Sequence, residues 1–207
     1  MSTTIESVNT MILAAQLGPV IDEESHHRIA QFFDLRTSWS TAHNIAGPRA
    51  IQAPWRTDLL DAVALASVVE SNLPLVDVGS GSGTPGLLLA CLLPSMSITL
   101  VEPIAKRTAF LRHATSTIGL GNVKTRRGRW PMSLGCPSLQ VVSRAVVPPE
   151  DWPTLASSAP ETSHIIRMLA TKRPPVRMSG WHQASAVDYE MPDGIQRRIE
   201  RWARYDT

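Results

Sequence analysis

Residues Leu75-Val76-Asp77-Val78 form a short apolar run that passes straight into Gly79-Ser80-Gly81-Ser82-Gly83-Thr84-Pro85-Gly86, and a second apolar run, Leu87 to Leu93, follows. The order predicts strand, tight glycine turn, helix. Glycine has no Cβ, so such a turn brings backbone N–H groups up against a ligand at the start of the helix. The segment therefore constrains both the fold, which must place a strand end beside a helix start, and the location of a binding site.

Two ligands fit a turn of this kind, and charge separates them. Gly81, Gly83 and Gly86 have the G-x-G-x-x-G spacing that receives a dinucleotide pyrophosphate. Asp77, Gly79, Gly81 and Gly83 form an overlapping D-x-G-x-G-x-G, which puts a carboxylate at the strand end. That carboxylate repels a pyrophosphate but accepts hydrogen bonds from the ammonium group of a methionine moiety. S-adenosylmethionine (AdoMet), a cation without phosphate, is the better match. A second strand, 97–101, carries Glu102 at its tip, where an acid accepts from both ribose hydroxyls.

The 207 residues are expected to form an N-terminal helical region, 1–70, packed on a second unit, 71–207. Helical spacing marks 22–36, after an acidic start, and 58–70, with Gly47-Pro48 as a break between them. From residue 73 strands and helices alternate: strand 73–78, helix 85–93, strand 97–101, helix 105–118, strands 122–126 and 139–143, helix 152–158, strand 165–169. Alternation of this kind predicts an α/β fold with a mostly parallel central sheet and helices on both faces. Past a polar, proline-bearing stretch, Pro192-Asp193-Gly194 predicts the turn of a hairpin with 196–204 as its second arm, and Ile195, Ile199 and Trp202 leave a terminal helix as the alternative.

Cys91 and Cys136 are too few for a disulfide framework, and the Cys and His residues have no metal-ligand spacing. No apolar run approaches the roughly 20 residues of a membrane span. The expectation is a cytoplasmic protein, a monomer, with no metal and with neither DNA nor membrane as a partner. The net charge of +2 conceals an asymmetry: residues 1–102 hold ten acids against four Lys or Arg, while 103–149 hold eight Lys or Arg and no acid. Lys106, Arg107, Arg126, Arg127 and Arg129 belong to that basic segment and predict a polyanionic partner, with a solvated basic face as the bland alternative.

Together these residues resemble the RsmG (GidB) family. The glycine run from Asp77 to Gly86, Lys106-Arg107 with Phe110-Leu111, Asn122-Val123, and Val142-Ser143-Arg144-Ala145 carry the resemblance, with Trp39, Asn44 and Leu60-Asp61 as weaker echoes. It implies a Rossmann-like class I AdoMet-dependent methyltransferase with a small N-terminal helical cap, acting on N7 of a guanine in small-subunit ribosomal RNA, as naked RNA or in the assembled subunit. By motif, its cofactor pocket falls on Gly79, Thr84, Trp130, Pro131 and Arg144. Pro131 stands where the family usually has an acid, and Thr171-Lys172-Arg173 where it tends to have Lys-Gly.

The chemistry agrees. Guanine N7 presents a lone pair, so no proton has to leave first and positioning dominates. Cytosine C5 methylation needs a thiolate usually placed after a proline, whereas Cys136 precedes Pro137. Val147-Pro148-Pro149-Glu150 has the prolines of amino-group methylation without its polar first residue or its ring. Arg144, the candidate catalytic residue, either holds cofactor or donates to guanine O6. Trp130 is a candidate stacking platform for an unstacked base. Two other readings stay open: AdoMet-dependent methylation of a small molecule, and a non-catalytic RNA-binding or assembly protein.

Overall fold

A computed structural model describes residues 3–18, 20–170 and 178–205, the side chain of Arg49 excepted. Four helices come first: α1 (Ile5–Ala14), α2 (Glu23–His43), α3 (Pro48–Gln52) and α4 (Pro54–Ala66). The sheet follows, with β1 (Leu75–Val78), α5 (Gly86–Leu92), β2 (Ile98–Glu102), α6 (Ala105–Ile118), β3 (Val123–Arg127), β4 (Leu139–Ser143), α7 (Trp152–Ala156), β5 (Thr162–Leu169), β6 (Trp181–Glu190) and β7 (Gln196–Arg204). The strand order is β3-β2-β1-β4-β5-β7-β6. β1 to β5 pair in parallel, and β7 lies antiparallel between β5 and β6.

Capping chemistry sets the helix limits. Asp22 accepts from the Ser25 amide at 2.7 Å and starts α2, as the acidic run predicts. Its hydrogen bonds to Ser25 hold the carboxyl below the usual range. α2 then runs past residue 36, because Trp39 packs on Phe110 with ring centroids 5.5 Å apart, and stops where Asn44 turns left-handed. α4 begins four residues earlier than the apolar spacing predicts, with Pro54 in its first turn. α1 has no counterpart in the sequence reading.

Alternate residues along each strand face opposite sides of the sheet. Leu75, Ile98, Leu100, Val142, Ile166 and Ile199 lie in one core with α1, α2, α4, α5 and α6, so the N-terminal helices share their apolar interior with the sheet. Val76, Val78, Val101, Val141 and Ile165 face a second core, with Trp130 and with Trp152 and Ala156 of α7. Helices thus cover both faces. β1 has β2 on one side and β4 on the other, so the chain reverses its winding there, and ligands of open α/β sheets bind at the strand ends beside such a reversal.

Candidate cofactor and acceptor site

A cavity of about 840 Å³ opens at the carboxyl ends of β1, β2 and β4. Its floor is the glycine turn. Gly79 takes φ 70° and Gly81 φ 56°, the left-handed region that favours glycine. A Cβ on Gly79 would collide with the Val146 side chain, whereas one on Gly81 would meet nothing nearer than the Gly79 carbonyl at 3.7 Å. The turn is therefore a cradle closed on one side and open on the other.

Glu102 adjoins the turn in the cavity wall, 2% exposed. Its Oε2 accepts from the Gly81 amide and its Oε1 from the Ile104 amide, each at 2.8 Å. Two backbone donors fix the carboxylate, and each oxygen keeps a lone pair for a hydroxyl. Trp130 lines a third wall while its Nε1 donates to the Leu155 carbonyl at 3.0 Å. Ile45 to Gly47, from the segment joining α2 to α3, and Ala50 of α3 complete the enclosure. Sequence reading took Gly47-Pro48 only as a break, and the break is what lets the chain fold over the cavity mouth.

Three cofactor candidates stand elsewhere. Asp77 is fully buried on the face of the sheet that packs against α2, α4 and α5, outside the cavity wall, and its Oδ2 accepts from the Gly86 amide at 3.0 Å. It braces the turn from beneath instead of reaching an ammonium group. Burial pushes its carboxyl up to about 6, against the opposing hydrogen bond from Gly86. The same bond places a carboxylate at the first amide of α5, where a pyrophosphate would have to bind, which disfavours the dinucleotide reading. Gly83 faces Phe32 and Leu87, whose carbons lie 3.0 and 2.6 Å from where its Cβ would be, so it admits the helical cap. Pro131 is exposed and outside the cavity wall, because Trp130 is drawn into the second core and the chain leaves outward. Trp130, 8% exposed, presents its remaining surface to the cavity.

Arg144 joins the cavity to a buried ionic chain. Its Nη1 donates to Asp58 Oδ1 at 2.6 Å and to Asp61 Oδ2 at 3.4 Å, and its Nη2 donates to the Thr84 hydroxyl. Asp58 also accepts from Arg36 Nη1 at 2.6 Å, while Arg36 packs over the rings of Phe32 and Phe33. Asp61 Oδ1 accepts from Tyr189 Oη at 2.7 Å and from Arg197 Nη1 at 2.5 Å. Burial works against charge on Arg144, but Asp58 and Asp61 outweigh it and hold its pKa above the ordinary value. The cluster sets three guanidiniums against two carboxylates; of the two acids, the sequence offered only Asp61, in the Leu60-Asp61 echo of the family signature.

Of the basic candidates, Arg107 and Arg129 border the cavity. Lys106 donates to the His43 carbonyl at 3.0 Å and so ties α6 to the helical cap. Arg126 and Arg127, both exposed, are successive residues on the edge strand β3 and project from opposite faces, away from the cavity wall. Thr171-Lys172-Arg173 lie outside the described residues.

Residues 25–173 match the family described as GidB, rRNA small subunit methyltransferase G. The chain belongs to this family. It is 33% identical over 153 residues to the ribosomal RNA small subunit methyltransferase G of Neisseria gonorrhoeae, covering 74% of this chain and 71% of that protein. It is 32% identical over 145 residues to the protein of the same description from Streptomyces coelicolor, covering 67% and 61%. Among solved structures, MtNAS in complex with S-adenosylmethionine superposes with a TM-score of 0.53 at 16% identity over 98% of this chain and 85% of that one. TrmN from Thermus thermophilus does so with 0.51 at 15% identity over 82% and 52%. At those identities the superpositions establish the Rossmann-like fold. Membership in the GidB family makes the chain a methyltransferase and AdoMet its methyl donor. Among the described residues no helix is long and apolar enough to cross a membrane, and no group of His, Cys, Asp and Glu is arranged to hold a metal ion.

Proposed function

We propose that this chain methylates N7 of a guanine in small-subunit ribosomal RNA, as a monomer in the cytoplasm. The observation that carries the cofactor half of the reading is the Glu102 carboxylate, fixed by the Gly81 and Ile104 amides at the edge of an open glycine cradle. Gly79, Gly81, Thr84, Glu102, Trp130 and Arg144 would hold AdoMet, and Asp77 would keep the cradle in shape from below. Bound there, AdoMet supplies an electrophilic methyl group: the N7 lone pair forms the new N–C bond, the C–S pair returns to sulfur, and the positive charge passes to the base.

The protein has little covalent work to do. N7 carries no proton to remove, so the task is to orient the base in line with the methyl group and exclude water. Arg144 suits that task. With Nη1 shared between two carboxylates and one Nη2 hydrogen on Thr84, its guanidinium is held in one orientation and keeps donors for guanine O6. Arg107 and Arg129 at the rim, with Arg126 and Arg127 on the sheet edge, supply positive charge for the phosphate backbone. Cys136, half-buried against the second core, is outside the cavity wall and has no part in the transfer.

Nucleoside mass spectrometry of small-subunit ribosomal RNA from cells with and without the protein tests the reading. One 7-methylguanosine should vanish with the protein and return with it. An unchanged nucleoside profile, together with methyl transfer by the purified protein to a metabolite extract alone, refutes the RNA substrate.

A further inference from the structure

Beyond Arg144 lies a second chamber of about 570 Å³, on the side of the sheet that carries α7. Arg144 to Val147 line it and the first cavity alike, so the two chambers share one wall. Methyl donor and acceptor atom must come within about 3–3.5 Å of each other, which makes a chamber adjoining the cofactor cavity the place for the acceptor. We infer that this second chamber receives the acceptor base and that the Ser143 hydroxyl is its hydrogen-bonding contact. The inference rests on the methyltransferase reading above.

Ser143 and Arg167 face each other across the parallel pair β4–β5, and both line the chamber. Ser143 is 8% exposed and Arg167 2%. The Ser143 hydroxyl and the Arg167 Nε have no hydrogen-bond partner among the described residues. Arg167 is otherwise satisfied, since its Nη1 donates to Glu200 at 2.9 Å and its charge is neutralised there. Val147, Pro148 and Trp152 make the remaining wall apolar. A chamber with apolar sides and an unsatisfied hydroxyl is what a heterocyclic base fills, because ring faces need desolvated contacts and ring edges need a few placed polar groups.

The geometry of guanine assigns the edge. With N7 turned toward the shared wall, the N1–H and the N2 amino group point away from it, and the Ser143 oxygen accepts from one of them. Methylation at N7 leaves a positive charge on the base, which makes N1–H and N2–H stronger donors. The hydroxyl contact is therefore tighter in the transition state than in the bound base and shows itself in kcat.

Steady-state methylation of stripped small-subunit ribosomal RNA, with AdoMet affinity measured separately by calorimetry, tests this with Ser143→Ala and Ser143→Val. Ser143→Ala should lower kcat about 3- to 10-fold, the span of one lost hydrogen bond, and leave the AdoMet Kd within about twofold. Ser143→Val, which fills space at the chamber floor and suits a strand, should also raise KM for RNA. Wild-type kinetics in both variants, or a loss of AdoMet affinity in place of kcat, overturns the assignment. If the unaltered protein binds AdoMet yet transfers no methyl to small-subunit ribosomal RNA, stripped or in the assembled subunit, the ribosomal RNA reading itself has failed.

Discussion

Asp77→Asn isolates the free energy that the brace beneath the glycine turn holds back. The carboxyl is fully buried, and burial raises its pKa from 3.8 to about 6. Below pH 3.8 it is neutral in the folded and unfolded chains, and its contribution to stability is fully present. As pH rises through 6 the unfolded chain has already released the proton, the folded chain must ionise a carboxylate without water, and stability is lost. At about 1.4 kcal/mol per pKa unit, the loss between pH 3.8 and neutrality is about 3 kcal/mol. Asparagine keeps an oxygen for the Gly86 amide and cannot ionise. Urea unfolding of both proteins at pH 4.5 and 7.5, compared as a double difference, should show Asp77→Asn gaining about 2 kcal/mol relative to wild type at the higher pH, since part of the loss is already present at pH 4.5. AdoMet affinity should change little, since Asp77 is not part of the cavity wall. Equal pH dependence in the two proteins would refute the desolvation argument, and a large loss of AdoMet affinity would return Asp77 to the ligand.

Gly79→Ala forces a side chain into left-handed backbone and against Val146, and should cost about 2–4 kcal/mol with at least a tenfold loss of AdoMet affinity by calorimetry. Adding Val146→Ala should recover part of the stability, and no recovery would mean that backbone conformation alone sets the penalty. Asp61→Ala leaves Arg144 and Arg197 short of a carboxylate and should destabilise by about 2–3 kcal/mol in denaturant unfolding, discounted because both guanidiniums keep some contact with water. Arg126→Ala with Arg127→Ala should weaken RNA binding and flatten its salt dependence by about one to two released ions, leaving the AdoMet Kd untouched. The reversed pattern would remove the sheet edge from the RNA surface.

The central strands β1, β2 and β4 were legible because each is a short, mostly apolar run, and 105–118 and 139–143 agree with α6 and β4 to the residue. The hairpin prevailed over a terminal helix because Met191 and Ile195 close its turn by a backbone hydrogen bond of 2.9 Å. β6 was legible only at its end. Its exposed face is polar, so His182 to Ser185 lack the alternation that marks a strand. Site residues in the glycine turn were legible because local backbone geometry demands them. Asp58 was not, and Asp61 appeared only as a family echo with no role attached, because their role depends on Arg144, 86 and 83 residues away in the chain. Asp77 lies outside the cavity wall for a related reason: its position in the motif is local, but whether its side chain lies above or below the turn is set by strand register, which places it beside Leu100 on the face packed against α2, α4 and α5.

Tyr189 and Arg197 belong to the two arms of the hairpin, yet both end on Asp61 of α4, across separations of 128 and 136 residues. A chimera that borrows this hairpin from a relative must therefore carry the matching residue of α4 with it. Otherwise the graft would fold and still leave the Arg144 guanidinium loosely seated. Exchange of parts between homologues is constrained here by a trio that no alignment window of ordinary length would group together.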